Sequence, residues 1–187
     1  SRADRPAGSS AGGAAQGVIL AGLLLAQADP GESLRQELRS AHSATAVLQR
    51  RCATPIRAVV DRTVARGPTP EQRAHLAVGP ADPVVYRSVA LKCGDLSLSI
   101  AENWYVPARL TPEMNAALAG DTPFGAAIRP LAPSRRTLGI ATQGEDATVA
   151  PYVLRQRALV IGGNGRPLAE VVENYTPELI GLPVRKP

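Results

Sequence analysis

The stretch VVYRSVALKCGDLSLSIAENWYV, Val84 to Val106, decides the fold. Val84 to Lys92 reads as a strand, Gly94-Asp95 supplies a turn, and Leu96 to Val106 runs back. Two such runs about a glycine-containing turn read as an antiparallel hairpin. Downstream, Thr137 to Thr142 is strand-like and Gln143 to Thr148 is a polar loop. Tyr152 to Ile161 and Pro167 to Tyr175 form another strand pair about Gly162-Gly163-Asn164-Gly165, a turn with ample capacity for positive φ. Pro177 closes the last strand. Upstream, Ile56 to Val64 is β-branched and reads as a strand.

Helical signals lie between these runs. Leu34, Leu38, Ala41, Thr45 and Leu48 recur at helical spacing, predicting one helix from Glu32 to Arg50 that Cys52 to Pro55 ends. Thr69-Pro70-Glu71-Gln72 combines a capping threonine, a proline at the first position and a glutamine that can complete a capping box. That helix is expected to end near Gly79-Pro80. Thr111-Pro112-Glu113 repeats the logic, with Gly120 as the stop. Thr122-Pro123-Phe124-Gly125 opens a short helix that Pro130 ends. Hairpins with interspersed helices predict a single α+β domain: an antiparallel sheet with helices packed mainly on one face. Residues 29–180 are assigned to it, and Gly181 to Pro187 is expected to be a loose tail.

Composition narrows the partners. The 187 residues are 44% apolar, enough for one sizeable core, and only 3% aromatic, so that core rests on aliphatic residues. The net charge of +5 and pI of about 9.8 suit attraction of small anions. All of the basic residues but Lys92 and Lys186 are arginines, scattered along the chain. Few aromatics stand beside them as stacking platforms, and no zinc-finger or basic heptad spacing occurs. Nucleic acid is therefore not an expected partner, and a monomer is expected.

The N-terminal segment 1–28 is rich in Gly, Ala and Ser and is expected to be disordered. Within it an apolar run, Val18 to Ala26, precedes Ala26-Gln27-Ala28. It is too short to span a membrane, which takes roughly 20 apolar residues. Basic, apolar and small-residue parts follow in the order of an export signal, with cleavage expected after Ala28 and a periplasmic or secreted destination. The alternative is an apolar first helix packed on a cytoplasmic domain. Cys52 and Cys93 are the two cysteines; they allow one disulfide in an exported chain or two buried thiols in a cytosolic one. With His42 and His75 the only histidines, no metal site is expected.

Several blocks occur in an order that resembles the chorismate pyruvate-lyase family, whose fold is shared with small-molecule-sensing domains of some transcription regulators. They are Tyr86 to Leu91, Glu102 to Thr111, Thr122 to Gly125, and Gly165-Arg166-Pro167 followed by Glu173-Asn174-Tyr175-Thr176-Pro177. The resemblance spans Ser43 to Pro177. It implies cleavage of chorismate to 4-hydroxybenzoate and pyruvate without metal or organic cofactor, in a buried cavity beside the sheet. It implies that Arg87 grips the ligand carboxylate, that the Phe124 backbone N–H joins it, and that Glu173 lies at the far end near the ring hydroxyl. Arg87 and Glu173 are thus the candidate catalytic pair, with Phe124, Gly125 and Ala44 as further ligand-binding positions.

The chemistry of those residue types agrees. A guanidinium offers several donors to a carboxylate. A backbone N–H after Pro123 faces a close approach that Gly125 permits. A strand carboxylate can exchange a proton with a substrate oxygen when burial raises its pKa. Two departures from the family pattern stand out. Ala44 replaces a larger apolar residue on the helix over the pocket. One extra residue lies between Pro167 and Glu173, which a β-bulge would absorb. A non-catalytic binding module for an aromatic or other small acid is the competing function.

Overall fold

The sheet contains six antiparallel strands in the order β1-β2-β3-β6-β5-β4. The strands are β1 (Arg57–Asp61), β2 (Val85–Cys93), β3 (Leu96–Tyr105), β4 (Ser134–Thr142), β5 (Leu154–Ile161) and β6 (Pro167–Tyr175). They form two three-stranded meanders, joined where β3 pairs with β6. This computed structural model describes residues 30–41 and 43–185. The signal-like segment and Pro187 lie outside them. The architecture is the expected single α+β domain with an antiparallel sheet.

The local signals explain most element boundaries. Thr69 forms the full capping box with Gln72 at the start of α3 (Pro70–Leu76). Thr111 caps α4 (Pro112–Ala119) through Met114 N–H. Gly94 and Gly165 take positive φ, 58° and 78°, at the two hairpin turns, where a side chain would be strained. After β6 the chain turns into a short helix, α6 (Pro177–Ile180).

One expectation fails. The predicted helix from Glu32 to Arg50 is two helices, α1 (Pro30–Ser40) and α2 (Ala44–Gln49). The break lets both Leu34 and Leu38 of α1 and Val47 and Leu48 of α2 pack in one cluster with Val89, Leu91 and Tyr175 of the sheet. Cys52, just past α2, is bonded to Cys93 at the end of β2, with Cα atoms 5.6 Å apart. Arg185 N–H donates to Arg50 O at 2.8 Å, so the tail lies against the end of α2 as far as that residue.

Helices α1, α2, α4 and α5 (Phe124–Ala127) cover one face of the sheet, called inner here. Their side chains build two apolar clusters, one around Leu48 and Tyr175, the other around Ile128 and Val171. A further helix, α3, covers part of the outer face, while Leu179 of α6 joins the cluster around Leu48. Leu76 packs there with Trp104, Val106 and Leu159. Alternation along the strands sorts the polar residues: Arg87, Asn103 and Glu173 face inward, Trp104 and Glu170 outward.

Candidate functional site

A cavity of about 80 Å³ lies on the inner face, where helices α2 and α5 cover the sheet. It has room for a handful of waters or a compact ligand. Ala44, Arg87, Phe124, Gly125 and Glu173, the positions singled out from the sequence, all line it. Cross-strand register explains the sheet residues among them. Arg87 on β2 stands opposite Asn103 on β3, and Ala101 of β3 stands opposite Glu173 of β6. Glu173 faces inward opposite Ala101 of β3 and Gln156 of β5; nearer the turn Val160 pairs with Ala169 but Ile161 with Pro167, so Leu168 is bulged relative to β5.

Arg87 is 5% exposed. Its Nη2 donates to Gly120 O (2.9 Å) and Thr122 O (2.8 Å), which ties the loop before α5 to the sheet. Its Nε and Nη1 are buried and have no hydrogen-bond partner among the described residues. Burial pulls this guanidinium below its ordinary pKa, while Tyr105 and Asp121 pull the other way. Nη2 belongs to both double-donor edges of a guanidinium, so its two carbonyls leave Nη1 and Nε to meet an anion singly. A carboxylate held there keeps its second oxygen for another donor. The N–H groups of Phe124 and Gly125, in the first turn of α5, are not consumed by that helix. Asn103, 3% exposed, makes one long bond from Nδ2 to Arg87 O (3.4 Å) and also lines the cavity.

Glu173 is set differently. Arg135 of β4 reaches it through Nη2–Oε2 (2.5 Å) and Nη1–Oε1 (3.3 Å), and Tyr175 donates its hydroxyl to Oε2 (3.1 Å). Burial draws the Arg135 pKa down, yet the charge and hydrogen bonds of Glu173 outweigh it and raise the net value. Burial, then the Glu173 charge, holds the Tyr175 hydroxyl well above the phenol range. Glu173 is therefore held in place, with the Arg135 guanidinium on one side and a donated phenol on the other. The sequence reading missed Arg135. It is the second residue of β4, beside Arg136, and only the strand pairing decides which of the two points inward.

Glu170, three residues away, faces the other side and is fully buried. His75 Nδ1 lies 2.7 Å from Oε2 and Arg157 Nη2 donates to Oε1 at 3.0 Å. Both carboxylate oxygens are thus occupied under α3, away from the cavity.

The uncharacterized protein y4mC of Sinorhizobium fredii (strain NBRC 101917 / NGR234) is 36% identical to this chain over 179 residues, covering 81% of the chain and 76% of that protein. The chain belongs to the y4mC family. No family model matches this y4mC-family chain. Solved structures similar to it include a transcriptional regulator of the GntR family from Enterococcus faecalis V583 (12% identity, TM-score 0.47, 69% of this chain and 99% of that one). The effector domain of PhnF from Mycobacterium smegmatis is similar at 10% identity and TM-score 0.49, over 66% of this chain and 82% of that one. YydK from Bacillus subtilis, described as a possible transcriptional regulator, matches at 17% identity and TM-score 0.45, over 70% of the y4mC-family chain. There the match spans 62% of YydK, less than two thirds of its length.

Proposed function

We propose that this chain binds a small carboxylic acid, aromatic by preference, in the inner cavity. One observation carries the reading: Arg87 lines the cavity with two buried nitrogens that have no partner among the described residues. Each unsatisfied buried donor costs about 1–3 kcal/mol, and more for a charged group. A ligand carboxylate on Nη1 or Nε removes that cost and neutralises the cation. Its second oxygen meets the N–H of Phe124 or Gly125. Glu173 and Arg135 cancel one another, so Arg87 leaves the cavity with one net positive charge, which favours a monoanion. The apolar walls, among them Val89, Val160 and Val171, suit a ring between the polar ends.

A second reading is cleavage of chorismate to 4-hydroxybenzoate and pyruvate. It is favoured by the presence of Glu173 in the same cavity as Arg87. In its setting Glu173 can orient or accept from a ring hydroxyl, since Arg135 and Tyr175 hold its side chain in place. The binding reading is the better supported of the two. The signal-like segment before Asp29 and the disulfide support an oxidising compartment for the protein.

The deciding experiment follows the native protein with fresh chorismate and with 4-hydroxybenzoate. The expected result is a Tm raised by 4-hydroxybenzoate, by mass action on the folded state, and lost in Arg87→Ala. Release of pyruvate above the spontaneous rate, absent in Arg87→Ala, would establish the lyase. Neither turnover nor any Tm shift would reject both. Sequencing the mature N-terminus from the native cell tests the compartment: cleavage after Ala28 is expected, and an intact segment overturns export.

A further inference from the structure

The sheet register lays out the cavity floor. Arg87, Asn103 and Val171 stand side by side on β2, β3 and β6, in one row across the inner face. The next row along the strands is Val89, Ala101 and Glu173. All six line the cavity. Directly opposed residues of an antiparallel pair have Cβ atoms about 4.5–5.5 Å apart, and diagonal ones about 7–8 Å. Asn103 is therefore the direct neighbour of Arg87 and only the diagonal neighbour of Glu173. Of the two polar ends it belongs to the Arg87 end. Val89, Ala101 and Val171 make the rest of this floor apolar.

Asn103 is 3% exposed. A carboxamide buried among apolar neighbours costs free energy unless its donors and acceptor are met. Its one hydrogen bond among the described residues runs from Nδ2 to Arg87 O at 3.4 Å, longer than the usual N–H···O range. That contact leaves Oδ1 to accept from whatever occupies the cavity.

An acid held by Arg87 brings the atoms nearest its carboxylate over Asn103. We infer that Asn103 makes the site selective for acids with a hydroxyl near the carboxylate, at the 2- or 3-position of a ring, donated to Oδ1. This rests on the reading of Arg87 given above and adds which acids are preferred. A hydroxyl at the 4-position lies toward Glu173 instead. A purely structural Asn103, bracing β3 against β2 through Arg87 O, would treat acids with and without the near hydroxyl alike.

The test is calorimetric titration of the native protein with benzoate, the 2-, 3- and 4-hydroxybenzoates and the 2- and 3-methoxybenzoates. Either 2- or 3-hydroxybenzoate is expected to bind about 3- to 10-fold more tightly than benzoate, the worth of one hydrogen bond. Its methoxy analogue, which has no proton to donate, is expected to show no gain. In Asn103→Leu, close in size without the amide, the ratio to benzoate is expected to fall to about one, while the 4-hydroxybenzoate ratio keeps its wild-type value. Asn103→Ala repeats the measurement with a smaller side chain. No gain at either position, a gain shared by the methoxy analogue, or a gain that survives both variants overturns the inference. Should both variants fail to fold, the hydroxy-to-methoxy comparison in the native protein decides. Benzoate binding with none of this selectivity rejects the Asn103 role alone. No binding by any acid rejects the Arg87 reading with it.

Discussion

Two glutamates of β6, three residues apart, sit on opposite faces of one sheet in buried charge clusters of different kinds. On the outer face Glu170 has both oxygens occupied, by His75 and Arg157, beneath α3. On the inner face Glu173 is likewise paired, with Arg135 and Tyr175, but Arg87 across the same cavity keeps two buried nitrogens unpartnered among the described residues. A closed cluster needs nothing more and holds elements together. An open one carries an unmet cost in the free protein that a ligand relieves. Burial and charge alone do not separate the two; the accounting of donors and acceptors does.

The largest expected effect breaks the closed cluster. Glu170→Ala leaves Arg157 and His75 facing a buried gap, and the loss is expected at about 3–5 kcal/mol of unfolding free energy, measured by urea denaturation. Retained folding at wild-type stability would show that α3 is held by its apolar contacts alone. The disulfide comes next. Cys52→Ala with Cys93→Ala opens a tie spanning 41 residues and is expected to cost about 2–4 kcal/mol. Because the tie joins the chain just past α2 to β2, which carries Arg87, ligand binding should weaken along with stability. Wild-type affinity in the double variant would detach α2 from the site.

Arg87→Met sharpens the contrast further. It removes a buried cation that lacks a counter-ion, so stability should change by about 1 kcal/mol or less while acid binding falls roughly 10- to 100-fold. A drop in stability as large as that of Glu170→Ala would make Arg87 a structural strut, tying Gly120 and Thr122, and no ligand anchor.

The smallest effect lies outside both clusters. Glu37 is held below its ordinary pKa by the hydrogen bond from Arg51, against some desolvation, with Arg50 adding to it. Glu145 is pushed down to about 2 by hydrogen bonds from Arg35 and the Thr142 backbone. Both pKa values are depressed in the folded state, so their stabilisation is complete above the ordinary value of 4.5 and is lost as pH falls from there toward about 2. Tm should decline over that window and the decline should shrink in salt, since these pairs are partly exposed. A Tm unchanged across it would mean the pairs add nothing.

Much of the fold was legible because its signals are local. The threonine-proline starts at Thr69 and Thr111 and the glycine turns at Gly94 and Gly165 act within a few residues, and each took the expected form. The split between α1 and α2 was not legible. The apolar repeat from Leu34 to Leu48 suits one helix as well as two, and packing against the sheet chose two. For the site, ordered motifs drew attention to five residues that the structure gathers at one cavity. They could not reveal that Nη2 of Arg87 is already committed to Gly120 and Thr122, or that Arg135 pairs with Glu173.

Caps, turns and strand alternation are set by neighbours in the chain, so the elements, the hairpins and the α+β class could be read from residue order. The pairing of β3 with β6, the face each glutamate takes and the partner each charge finds emerge from the folded chain. Those depend on register between strands far apart in sequence, which sets Glu173 opposite Ala101 and Gln156.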